Sequence, residues 1–578
     1  MQSVLIAVGA FVLYIIAYRT YGRFLARKIF KLDDSNITPA VEFDDKKDFV
    51  PTKLEILFGH HYTSIAGTGP IVGPAIGIIW GWVPALIWVV VGSIFMGAVH
   101  DFGALIISAR NKGKTIGDLA GKYISHRVQI MFLVIVFLLL LIVIAVFCLV
   151  ISVLFSMYPQ SVIPIWIEIP IATALGHLVY KKGKNALHLS MIGVFFLYIF
   201  IVVGSYVPVN MPVFWGMQPL TTWTILLLIY AYIASVLPVW RLLQPRDYIN
   251  GHELFVVLAV LTLAVLISRP EIVAPAYQAL PEGAPPIFPF LFITIACGAI
   301  SGFHSLVGSG TSSKQMSKES HAMVIGYGGM LLEGFLAVLV IISVAAGIGL
   351  AGGVEGSLTG TAAWSNHYAS WGAADGLGEK VSAFVDGSAK MLLYLGIPWA
   401  IAITVMGVFV ASFAATTLDT ATRLQRYIIT EIGAYIKFKP FTNMYVATGV
   451  AVVSAGFMAL AKDGGKGGLL LWPLFGAANQ LLACLGLLVL TVYLRKRKVS
   501  TVYTFIPMLI MLVITAVAMG YNIKNFYVDG FKSLHLLIIS LIIIILEIFM
   551  VIESFIHLVK PLEMPGSVNP KSEINESS

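Results

Sequence analysis

The chain has 578 residues, 58% hydrophobic and only 11% charged, with a formal net charge of +8 and a mean hydropathy of +0.90. That composition excludes a soluble globular domain of this size, and recurrent apolar stretches able to cross a ~30 Å hydrocarbon core make the spans helices rather than barrel strands. Basic loops on one membrane face account for the charge without nucleic acid, and Cys148, Cys297 and Cys484, far apart in apolar runs, read as packing residues.

The first apolar run, Ser3 to Tyr18, has no basic residue ahead of it and no small-residue cleavage site behind it, so it reads as a retained helix. A basic segment follows to residue 53. Further spans are expected near 54–80, 82–108, 128–156, 164–180, 186–207, 221–243, 251–269, 288–310, 321–350, 390–415, 441–460, 468–492, 502–521 and 534–558, about fifteen in all. With the first loop (Arg19, Arg23, Arg27, Lys28, Lys31, Lys46, Lys47, Lys53) inside, roughly 30 of the 37 basic residues fall on the cytoplasmic side and about 7 outside. The N-terminus is therefore expected outside and the C-terminus in the cytoplasm. An outer loop at 351–389, with Glu355, Asp375, Glu379 and Asp386, reads as a short surface helix in preference to a lid. The polar stretch 561–578 reads as a disordered tail.

Within this frame the second span is anomalous. "FGHHYTSIAGTGPIVGP" combines Gly59, Gly67, Gly69, Pro70, Gly73 and Pro74, so the segment from Thr63 to Pro70 is expected to be unwound. The seventh span carries Pro238 and Pro245 around Arg241. An offset of five spans is odd, which sets the two interrupted helices in opposite directions and suggests a five-plus-five inverted repeat. Its halves are 54–207 and 221–430; residues 1–53 and the accessory helices of 441–560 pack around them.

Ionisable groups in apolar spans are costly unless paired or hydrated, which makes them candidates for function. The strongest set is His60 and His61 in span two, His100 and Asp101 in span three, His304 in span nine and Glu333 in span ten. Thr63, Ser64, Gly67 and Thr68 at the first break, and Ser305, Ser309, Thr311 and Ser312 in "SGFHSLVGSGTSSKQ", offer hydroxyls and carbonyls. Oxygen donors suit a hard monovalent cation, and histidine beside carboxylate suits a proton; helix packing by small residues is the bland alternative. Arg241 could meet an anion or be a plain loop charge. Asp419 and Arg423, four apart, share a helix face as a local pair or inner gate. Glu168 and His177 lie nearer span ends and read as interfacial, and Asn479 and Gln480 read as packing amides.

No H-E-x-x-H, histidine-box, Walker or G-x-S-x-G pattern sits in a fitting context, so neither enzyme chemistry nor a cofactor is expected. A metal site at His60, His61, His100 and Asp101 stays open.

The blocks "FGHHYTSIAGTGPIVGPAIG", "HDFGALIISAR", "SGFHSLVGSGTSSKQ", "SFAATTLDTATRLQRY" and "WPLFGAANQ" resemble the carbon starvation protein A family of bacterial inner-membrane transporters, over about residues 1–500. The resemblance implies a secondary-active importer of pyruvate or short peptides during carbon starvation, and similarity to the amino acid, polyamine and organocation transporters. Coupling to protons or sodium is expected, with substrate between the breaks of spans two and seven and span nine opposite. A membrane receptor that senses the nutrient without moving it is the alternative class; a channel and an intramembrane metalloprotein are the other rivals.

Overall fold

The computed structural model describes residues 1–353, 356–371, 377–461, 467–528 and 534–559. Glu355, Asp375, the side chain of Glu379 and the 561–578 tail lie outside the described residues. The described chain is helical, with no β-pairing among the described residues beyond the isolated bridges Thr52–Met316 and Phe214–Met217. Among the described residues twelve helices are long and apolar enough to cross a membrane, thirteen with the bent pair Leu54–Ile65 and Gly69–Trp80. Reaching the expected fifteen requires counting also the 16-residue helix Met444–Ala459 and the split pair Ile287–Thr294 and Gly302–Gly310.

Large apolar side chains point outward from the peripheral helices, Phe195 and Ile192 on Ala186–Tyr206 and Ile506 and Val513 on Val502–Val528 among them. With a bilayer as solvent such faces need no protein cover. The helices Met323–Gly349 and Leu474–Lys496 are instead enclosed on nearly every side and form the interior.

The first break is shorter than the sequence suggests. Helix persists to Ile65 and resumes at Gly69, with a 40° bend over residues 66–68. Thr63 stays helical, its hydroxyl folding back onto Gly59 O one turn earlier, and Pro70 falls in the first turn of the new helix, where a missing N–H costs nothing. The second break is not at Pro238 and Pro245. Pro238 lies in the connection between two complete helices, Pro219–Val236 and Leu243–Ser268, and Pro245 is again in a first turn. The interrupted partner is span nine, where residues 295–301 separate Ile287–Thr294 from Gly302–Gly310. Six long helices lie between the two broken ones, so their offset is seven, odd like the expected five.

The two broken helices run antiparallel in contact. A methyl on Gly69 would strike Cys297, and one on Gly73 would lie 2.6 Å from Thr294 O. Rising numbers on one strand of the crossing meet falling numbers on the other. The 31–53 segment is stitched to the far end of the second broken helix: Val50 N donates to Lys314 O, Thr52 N to Gln315 O, and Asp34 accepts from Ser320. Within the expected surface loop, Leu377–Leu393 is not a surface helix. Phe384, Val385, Ala389 and Met391 are fully buried, and Gly387 is packed against Ser343 O, because this helix covers the half-helix Gly69–Gly77 and the Gly329–Ala345 helix.

Candidate functional site

Each break leaves backbone groups that need partners. At the second break three side chains supply them: Trp88 Nε1 donates to Ile295 O (3.1 Å), Gln480 Nε2 to Phe292 O (2.6 Å), and Asn479 Oδ1 accepts from Phe303 N (3.0 Å). Asn479 and Gln480 are therefore not plain packing amides. At the first break Thr417 Oγ1 donates to Ser64 O (3.4 Å) and Ser64 Oγ meets Thr420 Oγ1 (3.2 Å), so hydroxyls of the Trp399–Tyr435 helix face the turn. Gly67 is required there because a side chain would run into Thr417.

The half-helix Gly302–Gly310 carries His304 into a fully buried cluster. Asp101 accepts from two imidazoles, His100 Nδ1 at 2.9 Å on Oδ1 and His304 Nδ1 at 2.7 Å on Oδ2. His304 Nε2 then faces Glu333 Oε2 at 3.4 Å. That separation is a close approach and not a hydrogen bond: His304 Nε2 and both Glu333 oxygens are buried without a hydrogen-bond partner. His61 Nδ1 bonds Ser312 Oγ at 2.8 Å, and the Nε2 atoms of His60, His61 and His100 have no hydrogen-bond partner. Four expected residues thus come together as one network across three helices: His100, Asp101, His304 and Glu333.

His60 belongs elsewhere. Its Nδ1 meets Asp247 Oδ2 at 2.5 Å, where Leu54–Ile65 and Leu243–Ser268 cross so closely that a Cβ on Gly251 would be 3.1 Å from Gly59 Cα. Asp247 introduces a second buried group: Arg246, Glu168, Tyr230 and Asp419. Arg246 and Asp247 were missed because "QPRDY" reads as a loop between spans, whereas the helix already begins at Leu243. Glu168 is 2% exposed and accepts from Ser412, so it is not interfacial.

Several expected residues hold other places. Arg241 is exposed in the connection before Leu243, away from both networks. Thr63, Ser305, Ser309 and Thr311 donate to carbonyls of their own helices, and Thr68 Oγ1 is buried without a partner. Asp419 and Arg423 do not pair with each other. Asp419 takes Arg246 at 2.5 Å, while Arg423 donates to Ala234 O and Leu237 O and approaches Asp48 at 3.5 Å. One helical turn brings the two residues onto one face, but neighbouring helices offer each a better-placed partner. Among the described residues no three His, Cys, Asp or Glu side chains group as metal ligands.

Asp48 closes this end: it accepts from Tyr427 Oη at 2.6 Å and lies 3.9 Å from Arg426. Burial pushes its carboxyl up, but Arg423, the Tyr427 hydroxyl, Arg426 and Lys314 outweigh it and hold the group below the usual range. A depressed folded value contributes stability above the unfolded carboxylate pKa of about 4 and loses it as pH falls through the folded value. Asp48→Asn is expected to cost about 1.5–3 kcal/mol at pH 7. Thermal unfolding of both proteins in detergent checks this: the gap at neutral pH should close in acid below the carboxylate range.

A cavity of 440 Å³ reaches the breaks from the Trp80 end, lined by Gly69, Gly73, Thr294, Cys297, Phe475 and Asn522 among others. None of the residues expected from sequence lines it.

A multi-pass helical protein with two crossed broken helices, titratable groups buried beside them and a cavity leading to the crossing has the build of a secondary transporter. The family model described as "Carbon starvation protein CstA" matches residues 2–518, and the chain belongs to that family. It is 34% identical over 561 residues to "Peptide transporter CstA" of Campylobacter jejuni, covering 89% of this chain and 79% of the relative. It is also 32% identical to "Pyruvate/proton symporter BtsT" of Escherichia coli, with 91% and 82% covered, and 30% identical to the Bacillus subtilis "Peptide transporter CstA", with 94% and 96% covered. Among solved structures it resembles in fold a manganese transporter variant from Eremococcus coleocola, with a TM-score of 0.52, 13% identity, and 89% of this chain and 99% of that chain covered. The protein is a multi-pass membrane transporter of the secondary class.

Proposed function

We propose that the chain imports a small monocarboxylate of the pyruvate type together with protons, across a bacterial inner membrane, with its N-terminus outside and its C-terminus in the cytoplasm. The crossing of the broken helices carries the reading. It brings the N-termini of Gly69–Gly77 and Gly302–Gly310 into the interior beside the C-termini of Leu54–Ile65 and Ile287–Thr294. Helix N-termini favour a carboxylate, and free carbonyls with histidine–carboxylate pairs favour a positive co-substrate. We read the two broken helices as equivalent elements of an inverted pair.

The relatives' names offer pyruvate and peptides. Pyruvate is supported by the cavity wall, whose lining among the described residues contains no aspartate or glutamate to receive a peptide ammonium. Its 440 Å³ supports short peptides as the second reading. Sodium is the second coupling ion, supported by the hydroxyls of Ser64, Thr417 and Thr420 around the first break.

Proteoliposomes with an imposed proton or sodium gradient test all of this. Labelled pyruvate is expected to accumulate under an inward proton gradient and to leak out when a protonophore is added. Accumulation of dialanine in its place would select peptides, dependence on sodium alone would replace the ion, and no uptake under any gradient would favour a sensor.

A further inference from the structure

Arg246, 2% exposed, stands among three buried carboxylates. Its Nη1 is 2.5 Å from Asp419 Oδ2 and donates to Tyr230 Oη, which itself donates to Asp419. Glu168 Oε1 and Asp247 Oδ1 are each 3.9 Å from the guanidinium, beyond hydrogen-bond range. These two oxygens, Asp419 Oδ1, and the Nε and Nη2 of Arg246 all lack a hydrogen-bond partner. Only Oδ2 of Asp419 is engaged here, and two unbonded carboxylate oxygens lie 3.9 Å from the same cation.

The guanidinium is always charged, so three carboxylates against it leave two negative charges in a site closed to water. An uncompensated buried charge costs several kcal/mol, so neutralising the cluster takes about two protons. The other polar or titratable groups facing it are Tyr230, Ser412, Asn250, Arg423, Cys148 and Glu253, the last with neither oxygen bonded. The gap between Glu168, Tyr230, Arg246 and Trp166 has a volume of about 10 Å³, room for one water at most. Neither pyruvate nor a peptide fits in this conformation. A metal ion is disfavoured by the fixed cation and its five N–H donors, which cannot ligate.

We propose that the carboxylates around Arg246 are the proton-coupling site, separate from the substrate site at the breaks. A proton from one side forms an O–H bond on Asp419. Arg246, released, moves to Glu168 or Asp247, whose own O–H bond breaks and sends its proton to the other side; when Arg246 returns, the proton on Asp419 passes to the carboxylate it leaves, so the cluster again holds two protons and one has crossed. Because Asp247 also holds His60, that swap pulls on the first broken helix. The inference rests on the reading of the chain as a proton-coupled importer.

The test uses the full chain in proteoliposomes with labelled pyruvate, or dialanine if the wild type carries that instead. Accumulation under a proton gradient is compared with substrate exchange at equal pH. Glu168→Gln and Asp419→Asn are expected to lower gradient-driven accumulation about tenfold or more, to lose substrate-linked proton uptake and to flatten the pH profile, while exchange stays within about threefold of wild type. Should Asp419→Asn fail to insert, Glu168→Gln carries the test, since its amide oxygen can still accept from Ser412. Variants that accumulate substrate with the wild-type pH profile, or that lose exchange together with accumulation, overturn the inference. A wild type that exchanges substrate without moving protons overturns the proposed function as well, and does so without any variant.

Discussion

Exchange of Asp101 for alanine is expected to abolish uptake and to cost about 3–5 kcal/mol of stability, the range for removing one partner from a buried charged pair. Among the described residues Asp101 is the only acceptor for both His100 Nδ1 and His304 Nδ1, and all three side chains are buried. Without it two buried imidazole N–H groups lose their acceptor, and His304 and Glu333 lose the carboxylate that anchors the histidine between them. The half-helix Gly302–Gly310 also loses one of its ties to the Ala98–Ala109 helix, leaving the bond from Ser108 Oγ to Ser309 O. Asp101→Asn should fall between, since an amide keeps the volume and one acceptor but turns an N–H₂ toward one of the histidines. Thermal unfolding in detergent and uptake in proteoliposomes are the measurements. Uptake by Asp101→Ala within twofold of wild type would remove this network from the transport site.

A single methyl group at Gly302 is expected to have an effect of similar size. A Cβ there would strike Asn479 O and lie 2.5 Å from Ala483 N, both backbone atoms of a helix enclosed in the interior. Such atoms cannot yield as a flexible side-chain end would. Overpacking of this kind costs about 1–3 kcal/mol or more, and here it falls on the residue that opens the half-helix, beside the Asn479 cap on Phe303 N. Gly302→Ala should therefore lose transport through a displaced break. The neighbouring Gly308, whose Cβ would keep at least 3.7 Å from Leu105, should tolerate alanine. Equal transport by the two variants would show that the break has room to move.

How far these sites could be read in advance depended on the kind of signal each left. His60, His61, His100, Asp101, His304 and Glu333 are conspicuous because an ionisable group in an apolar run has so few explanations. Arg246 and Asp247 left no such signal: they follow a proline in a stretch that also reads as a loop. The second break was misplaced for a related reason. Proline marks Pro238 and Pro245 strongly, yet both occupy places where proline suits a chain reversal or a helix start. The true break, "IACGAIS", has no proline at all and exists because Trp88, Asn479 and Gln480 from other helices take over its backbone hydrogen bonds.

By itself the sequence determined the class of the protein, an all-helical multi-pass membrane transporter, since hydropathy and the obligation to satisfy every backbone group in lipid act locally along the chain. It determined the first broken helix for the same reason, through glycine and proline close together. Partner choice was decided only by the tertiary structure. Asp419 faces Arg423 one turn away yet pairs with Arg246, and His60 sits beside His61 yet joins Asp247. A buried charge takes whichever counter-group the crossing of helices brings within reach, and the crossings are set by contacts such as Gly59 on Gly251, nearly two hundred residues apart in the chain.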